Sequence, residues 1–285
     1  MLDTSYKSTR METIKELIKM KHVVFWPGVQ SKDPLIRQKH NNFEYFEASR
    51  RTWEHFCNRH GHIFLPYEEC SIEDTGTHRV NWQRWFDLFE RVEALGVEYD
   101  KILLVDASTM VRWDCPDFLS DVPNDGVVAF RSLENLRWVA ESTDGYRELF
   151  DNYDLDLKRY INSGFQIFGK WYKPFLEEMK KFYFDNVDEI LRLQKEIGKG
   201  TDQPVINYLI DMKGVKTYYD YLPNSYFQMH MNRFGWFGHN WQLKEDTTNY
   251  FLKYGNIWVF SGFDRAQRNS LMNQTWNLIK HNYEA

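Results

Sequence analysis

The chain has 285 residues, of which 42% are hydrophobic, 17% aromatic and 27% charged, with a formal net charge of −5. This composition is ordinary for a globular protein and the length is enough to bury a sizeable core. No long basic run is present, which argues against a double-helical nucleic acid as the main partner, and no apolar run approaches the ~20 residues of a membrane span.

Residues 1–20 read as a polar lead that passes into a short helix; acidic residues among them do not suit a secretory signal. His22–Trp26 (HVVFW) is a short apolar, β-branched run stopped by Pro27-Gly28 and predicts a first strand. Phe43–Arg59 has helical spacing at Phe46, Arg50, Trp53 and Cys57, and His62–Leu65 predicts a second strand. Trp82–Leu95 sets Trp85, Leu88, Phe89, Val92 and Leu95 on one helical stripe. Lys101–Val105 (KILLV) predicts a buried strand that ends at Asp106. Val127–Phe130 and Phe165–Phe168 are further strand candidates, followed by a long helical region over Lys173–Ile197 and a helix over Asp202–Met212. Val215–Tyr219 and Ile257–Phe260 predict late strands, the second leading into a helix to about Ile279. Helices alternating with strands predict an α/β fold with a mostly parallel central sheet flanked by helices. No Gly/Pro/Ser-rich linker interrupts the chain, so one domain over 1–285 is expected. The cysteines Cys57, Cys70 and Cys115 lie far apart with no CxxC pair, which fits free thiols in a reducing, cytoplasmic setting.

The stretch that points to chemistry is YDKILLVDASTMVRWD, residues 99–114. A buried strand runs directly into a carboxylate, and in open α/β sheets ligands bind outside the carboxyl ends of the strands. Asp106 placed there meets a ribose or a metal-bound diphosphate; a turn cap is the plain structural alternative.

This stretch resembles the central segment of GT-A fold glycosyltransferases, notably the glycogenin and bacterial lipopolysaccharide galactosyltransferase family, in which a strand ends in a DxD motif. Tyr160-Ile-Asn162-Ser163-Gly164 resembles that family's Asn-Ala/Ser-Gly strand start. Gly200-Thr-Asp202-Gln203 resembles its Asp-Gln helix start, and Ile257–Arg265 its His-x-x-Gly-x-x-Lys closing segment. The four segments stand in the family's order.

The resemblance implies a single GT-A-like (Rossmann-like) domain and transfer of a hexose from a nucleotide sugar, UDP-linked, to an acceptor hydroxyl with retention of configuration. It implies that Asp202, Gln203 and Asn162 serve the reacting sugar. Phe25, Trp26, Pro27, Arg84, Asp106, Ala107, Ser108, Ser163, Gly164, Gly262 and Arg265 would contact the nucleotide sugar. Phe25 to Gly28 would flank the base, while Arg84 and Arg265 would face the phosphates. Residues from about 220 to 285 would form the acceptor side and closing region. For Asp202 a plain helix N-cap, and for Asn162-Ser163-Gly164 a tight turn into a strand, are the structural alternatives.

Two metal-ligand positions depart from the family. Ser108 replaces the second carboxylate of the DxD, and Val259 stands at the late histidine. Mn²⁺ or Mg²⁺ would then rest on Asp106 and the phosphates alone, since a serine hydroxyl is a poor ligand and valine none. Otherwise Arg84, Arg265 or Arg268 neutralises the diphosphate without metal, or the site binds without turnover. His230 or His239, in the aromatic run Tyr226–Trp241, is a further possible nitrogen ligand. The rival functions are a catalytically inactive nucleotide-sugar-binding module and a nucleotidyltransferase. The second would need a glycine-rich loop after the first strand, which Trp26-Pro27-Gly28-Val29 does not supply.

Overall fold

The computed structural model describes residues 21–30, 43–72, 78–132, 136–219, 221–222, 227–228, 255–262 and 265–284. The polar lead over 1–20, most of the aromatic run with His230 and His239, and the side chain of Arg265 lie outside the described residues.

Six strands form the central sheet: β1 (Val23–Pro27), β2 (Ile63–Tyr67), β3 (Lys101–Val105), β5 (Val127–Arg131), β6 (Ile161–Gly169) and β7 (Thr217–Tyr219). Their order is β2-β1-β3-β6-β5-β7. β1 runs parallel to β2 and β3, and β5 parallel to β7, while β6 is antiparallel to both its neighbours. The fold is therefore α/β with a mostly parallel sheet, as the alternation predicts, and one central strand is reversed. A small second sheet joins β4 (Thr109–Val111), β9 (Ile257–Val259) and β8 (Phe227–Gln228) in the order β4-β9-β8.

Strand side chains alternate between the two faces. Val23, Phe25, Ile102, Leu104 and Phe168 point into one apolar layer, while Val24, Trp26, Leu103, Val105 and Phe165 point into the other. The first layer is covered by α2 (Val80–Phe86), α3 (Leu88–Glu93), α4 (Leu136–Tyr146), α5 (Lys173–Asp185), α6 (Val187–Ile197) and α7 (Gln203–Met212). The second is covered by α1 (Tyr45–His60), through Trp53, Phe56 and Cys57. A third cluster ties α1 to β4, β9 and α8 (Arg265–Ile279) through Tyr45, Met110, Trp258, Phe260 and Met272.

Several elements differ from the sequence reading. The stripe over Trp82–Leu95 is two helices broken at Asp87. That residue's carboxylate is buried and accepts hydrogen bonds from Tyr67 Oη (2.6 Å) and Ser71 N (3.0 Å). The long region over Lys173–Ile197 also divides, at Asn186, whose side chain donates to Phe182 O at 2.9 Å. β6 starts at Ile161 rather than Phe165, so Asn162 and Gly164 lie inside the strand and not in a turn before it. β4, α4 and β8 were not anticipated.

Candidate functional site

The reversal of β6 creates the site. Parallel β3 ends at Val105, and antiparallel pairing sets Val105 opposite Phe165, so the start of β6 lies beside the end of β3. Asp106 N then donates to Gly164 O at 2.8 Å, extending the ladder one residue past the strand. Three segments distant in sequence, around Asp106, around Asn162 and Gly164, and at the start of α7, meet at this edge.

Asp106 is held from several sides. Its backbone oxygen accepts from Thr109 N (3.0 Å) and Thr109 Oγ1 (2.6 Å), a turn that sends the chain into β4. The side chain itself caps nothing there. It lies against Gly164, where an added Cβ would come within 2.3 Å of Asp106 Oδ2, and it accepts a hydrogen bond from Arg84 Nη1 on Oδ1. The Asp106 side chain is 31% exposed, so one part of the carboxylate faces outward while the other is bound.

Arg84, near the end of α2, reaches under the edge of the sheet with only 6% of its side chain exposed. Its Nη1 binds Asp106 and its Nη2 binds Asp202 Oδ2 at 2.8 Å; Nε donates to Asn81 O at 3.2 Å. Asp202 also accepts from Trp85 Nε1 on Oδ2 (2.9 Å) and from Thr201 Oγ1 on Oδ1 (2.8 Å). A buried charge is stable only when paired and hydrogen-bonded. Burial works against the charge on Arg84, but the carboxylates of Asp106 and Asp202 outweigh it and hold its pKa above the ordinary value. For Asp202, burial works against ionisation, and Arg84, together with the bonds from Trp85 and Thr201, outweighs it and holds the carboxyl below its usual range.

Asp202 stands at the N-cap position of α7 yet makes no side-chain capping bond; its carboxylate is spent on Arg84, Trp85 and Thr201. Gln203 turns toward β6, where its Oε1 accepts from Ser163 N (3.2 Å) and Ser163 Oγ (3.3 Å). Asn207, one helical turn on, fastens α7 to the start of β6. Its Oδ1 accepts from Ile161 N at 2.7 Å and its Nδ2 donates to Ile161 O at 3.0 Å. Asn162 Oδ1 accepts from Gly164 N at 2.8 Å.

The structure thus gathers Arg84, Asp106, Asn162, Ser163, Gly164, Asp202 and Gln203 into one constellation. Trp85, Thr201 and Asn207 belong to it as supports that the sequence reading did not single out. The signal for Trp85 was its place beside Arg84, where the stripe had marked it as core alone.

The remaining candidates lie around this centre. Ala107 is buried in the layer under α1. Ser108 is buried and its backbone oxygen accepts from Phe260 N at 2.8 Å, which brings the closing segment alongside. Val259 pairs with Thr109 across β4 and β9, and Gly262 follows with a φ of 90°, a left-handed backbone that favours glycine. Arg268 Nε donates to Phe260 O at 2.9 Å.

Phe25 and Trp26 are fully buried on opposite faces of the sheet, Phe25 stacked on Tyr67 and Trp26 donating from Nε1 to Ser49 Oγ at 2.9 Å. Pro27 pairs with Tyr67 as the last residue of β1. A cavity of about 410 Å³ opens beyond this strand end, lined by Trp26, Gly28, Phe46, Glu47, Arg50 and Glu68 among others.

A divalent cation does not fit the donor set. Asp106 Oδ1 is bound to a guanidinium, Ser108 supplies no carboxylate, and Val259 points an isopropyl group into the apolar layer. Among the described residues no group of three or more His, Cys, Asp or Glu side chains is arranged to hold a metal ion. No described helix is long and apolar enough to cross a membrane.

No protein-family model and no curated protein matches the chain. Among solved structures it is similar to a glycosyltransferase involved in glycosylation of the major capsid of PBCV-1, with a TM-score of 0.49 and 12% identity over 89% of this chain and 98% of that one. It is similar to the bifunctional glycosyltransferase WbbM, with a TM-score of 0.47 and 14% identity over 94% of this chain and 52% of that one. A third such structure is mouse xyloside xylosyltransferase 1, with a TM-score of 0.39 and 8% identity over 85% of this chain and 98% of that one. These identities are far below the level at which function transfers between proteins.

Proposed function

We propose that the chain is a glycosyltransferase that moves a hexose from a nucleotide sugar, UDP-linked, to an acceptor hydroxyl with retention of configuration. The observation that carries this reading is the partly exposed Asp106 carboxylate at the carboxyl edge of the sheet, tied through Arg84 to Asp202 and resting on Gly164. A carboxylate fixed in this way accepts hydrogen bonds from ribose or sugar hydroxyls at the switch point where such ligands bind.

Asn162 presents its amide beside Asp106 and orients a sugar hydroxyl. Asp202 acts through Arg84, setting the position of Asp106, and Gln203 sets the start of β6. Ser163 and Gly164 form the floor on which the donor rests. Arg265 and Arg268, on the first turn of α8, are the cations this reading assigns to the leaving diphosphate, since fixed cations lower the barrier to the charge it gathers. Three free cysteines support a reducing, cytoplasmic setting.

A second reading is a nucleotide-sugar-binding module without turnover. It is favoured by the commitment of both Asp202 oxygens to partners within the protein. Thermal melting with millimolar UDP, GDP or CDP tests the shared part of both readings: a rise with UDP is expected, and no rise with any of the three rejects them together. Slow release of free hexose from a UDP-sugar separates an enzyme from a binding module.

A further inference from the structure

We propose that this site takes its nucleotide without a divalent cation, with the buried guanidinium of Arg84 acting as the resident positive charge that positions Asp106. The inference rests on the nucleotide-sugar reading above and specifies how that site handles charge.

Three observations carry it. The first is the occupancy of Asp106. Oδ1 is bound by Arg84 Nη1, and Oδ2 lies so close to Gly164 that a single Cβ would collide with it at 2.3 Å. With one oxygen held by a guanidinium and the other packed on Gly164, this partly exposed carboxylate is not free to turn into a metal's coordination shell.

The second is Arg84 itself. It is buried, and its two terminal nitrogens are divided between Asp106 and Asp202. A divalent ion ligated by Asp106 would stand within a few ångströms of this guanidinium. It would have either to tolerate that repulsion or to displace a buried cation, leaving Asp202 with only Trp85 and Thr201 as partners. The third is the replacement of both other donors. Val259 pairs with Thr109 across β4 and β9, Ser108 just before β4 is bonded through its backbone oxygen to Phe260 N, and neither Ser108 nor Val259 offers a carboxylate or an imidazole. Losing one carboxylate removes a negative charge that a cation would otherwise balance. Keeping Arg84 against Asp106 balances the one that remains.

Arg84 is accordingly a positioning residue: it reaches the ligand through Asp106. The test is calorimetric titration of the full chain with UDP, GDP and CDP in EDTA and again in Mn²⁺, together with Mn²⁺ titration of the protein alone followed by electron paramagnetic resonance. UDP affinity is expected to differ less than threefold between EDTA and Mn²⁺, with no protein-bound Mn²⁺. UDP binding that tightens tenfold or more with Mn²⁺, or a protein-bound Mn²⁺ signal, overturns the proposal and leaves the nucleotide-sugar reading standing. Failure of all three nucleotides under both conditions overturns both.

The charge-compensated double variant Arg84→Met/Asp202→Asn isolates the role of Arg84. It is expected to bind UDP at least tenfold more weakly in EDTA and to recover part of that loss in Mn²⁺, because Asp106 is then free to ligate. A loss that Mn²⁺ leaves unchanged would mark Arg84 as merely structural and overturn its assigned role.

Discussion

Asp106 and Gly164 touch across β3 and β6 so closely that no other residue type fits at 164 without moving the carboxylate. A Cβ built there meets Asp106 Oδ2 at 2.3 Å and Asp106 Cγ at 2.7 Å. Gly164 lies within a regular strand, so alanine meets no backbone objection. Gly164→Ala is therefore expected to fold, with a loss of about 1–3 kcal/mol from local crowding, and to weaken nucleotide binding more than tenfold. Retained binding in a folded Gly164→Ala protein would remove Asp106 from the site.

The Arg84–Asp202 pair sets up a double-mutant cycle. Arg84→Met leaves the Asp202 carboxylate buried with only Trp85 and Thr201 as partners, and such an orphaned charge costs about 3–5 kcal/mol. Asp202→Asn keeps the shape and costs less, since Arg84 still holds Asp106. The double variant is expected to regain most of the stability lost in Arg84→Met, giving a coupling of about 2 kcal/mol or more by urea unfolding. The sign with pH follows from the lowered pKa of Asp202. The stabilisation is complete above the ordinary carboxylate pKa and disappears only as acid protonates the folded carboxyl, at a pH lower than for an unpaired Asp. Additive single effects would mean that the pair is not coupled.

The strands were the legible part of this fold. The stretches ILLV and VVFW, which follow Lys101 and His22, are unbroken apolar runs because both faces of the sheet are covered, and that signal survives in one dimension. The breaks at Asp87 and Asn186 were not legible, because a helical stripe of apolar residues does not reveal that one polar residue within it is bonded elsewhere. Asp87 is taken by Tyr67 and Ser71 from another part of the chain. Within the site, the acidic end of β3 and the Asp-Gln start of α7 were visible as segments, and their shared dependence on Arg84 was not. Nothing local to Arg84 states that its guanidinium lies between two carboxylates 22 and 118 residues away. The reversal of β6, which brings Asn162 and Gly164 against Asp106, is likewise a matter of topology and leaves no mark in residue spacing.

Gln166 sits on the central strand β6, fully buried, in register with Leu104 and Ala129. Among the described residues, neither its Nε2 nor its Oε1 has a hydrogen-bond partner. Burying a polar amide without partners costs about 1–3 kcal/mol, and replacing it with an apolar group of similar shape removes that cost. Gln166→Met is therefore expected to raise stability by about 1–2 kcal/mol, seen as a higher denaturant midpoint at unchanged slope. A lower midpoint would show that the amide is satisfied within the folded protein.

His22 immediately precedes β1, at the opposite end of the sheet from Asp106. Its ring lies 4.9 Å from that of His62, and Nδ1 has no partner among the described residues. Burial first, then the neighbouring His62 and Lys101, lower its pKa from 6.5 to about 4; Asp100 and Asp117 oppose this without reversing it. In the unfolded chain the same histidine titrates near its ordinary value of about 6.5. Between those two values the unfolded state binds a proton that the folded state refuses, so stability falls as pH drops from 6.5 toward 4 and this contribution levels off below. His22→Phe keeps a ring against His62 and removes the proton. The melting temperature of the variant is therefore expected to decline less steeply than that of the native protein across this window, with the two curves parallel above pH 7. Parallel curves across the whole range would show that His22 takes up its proton as readily in the folded chain as in the unfolded one.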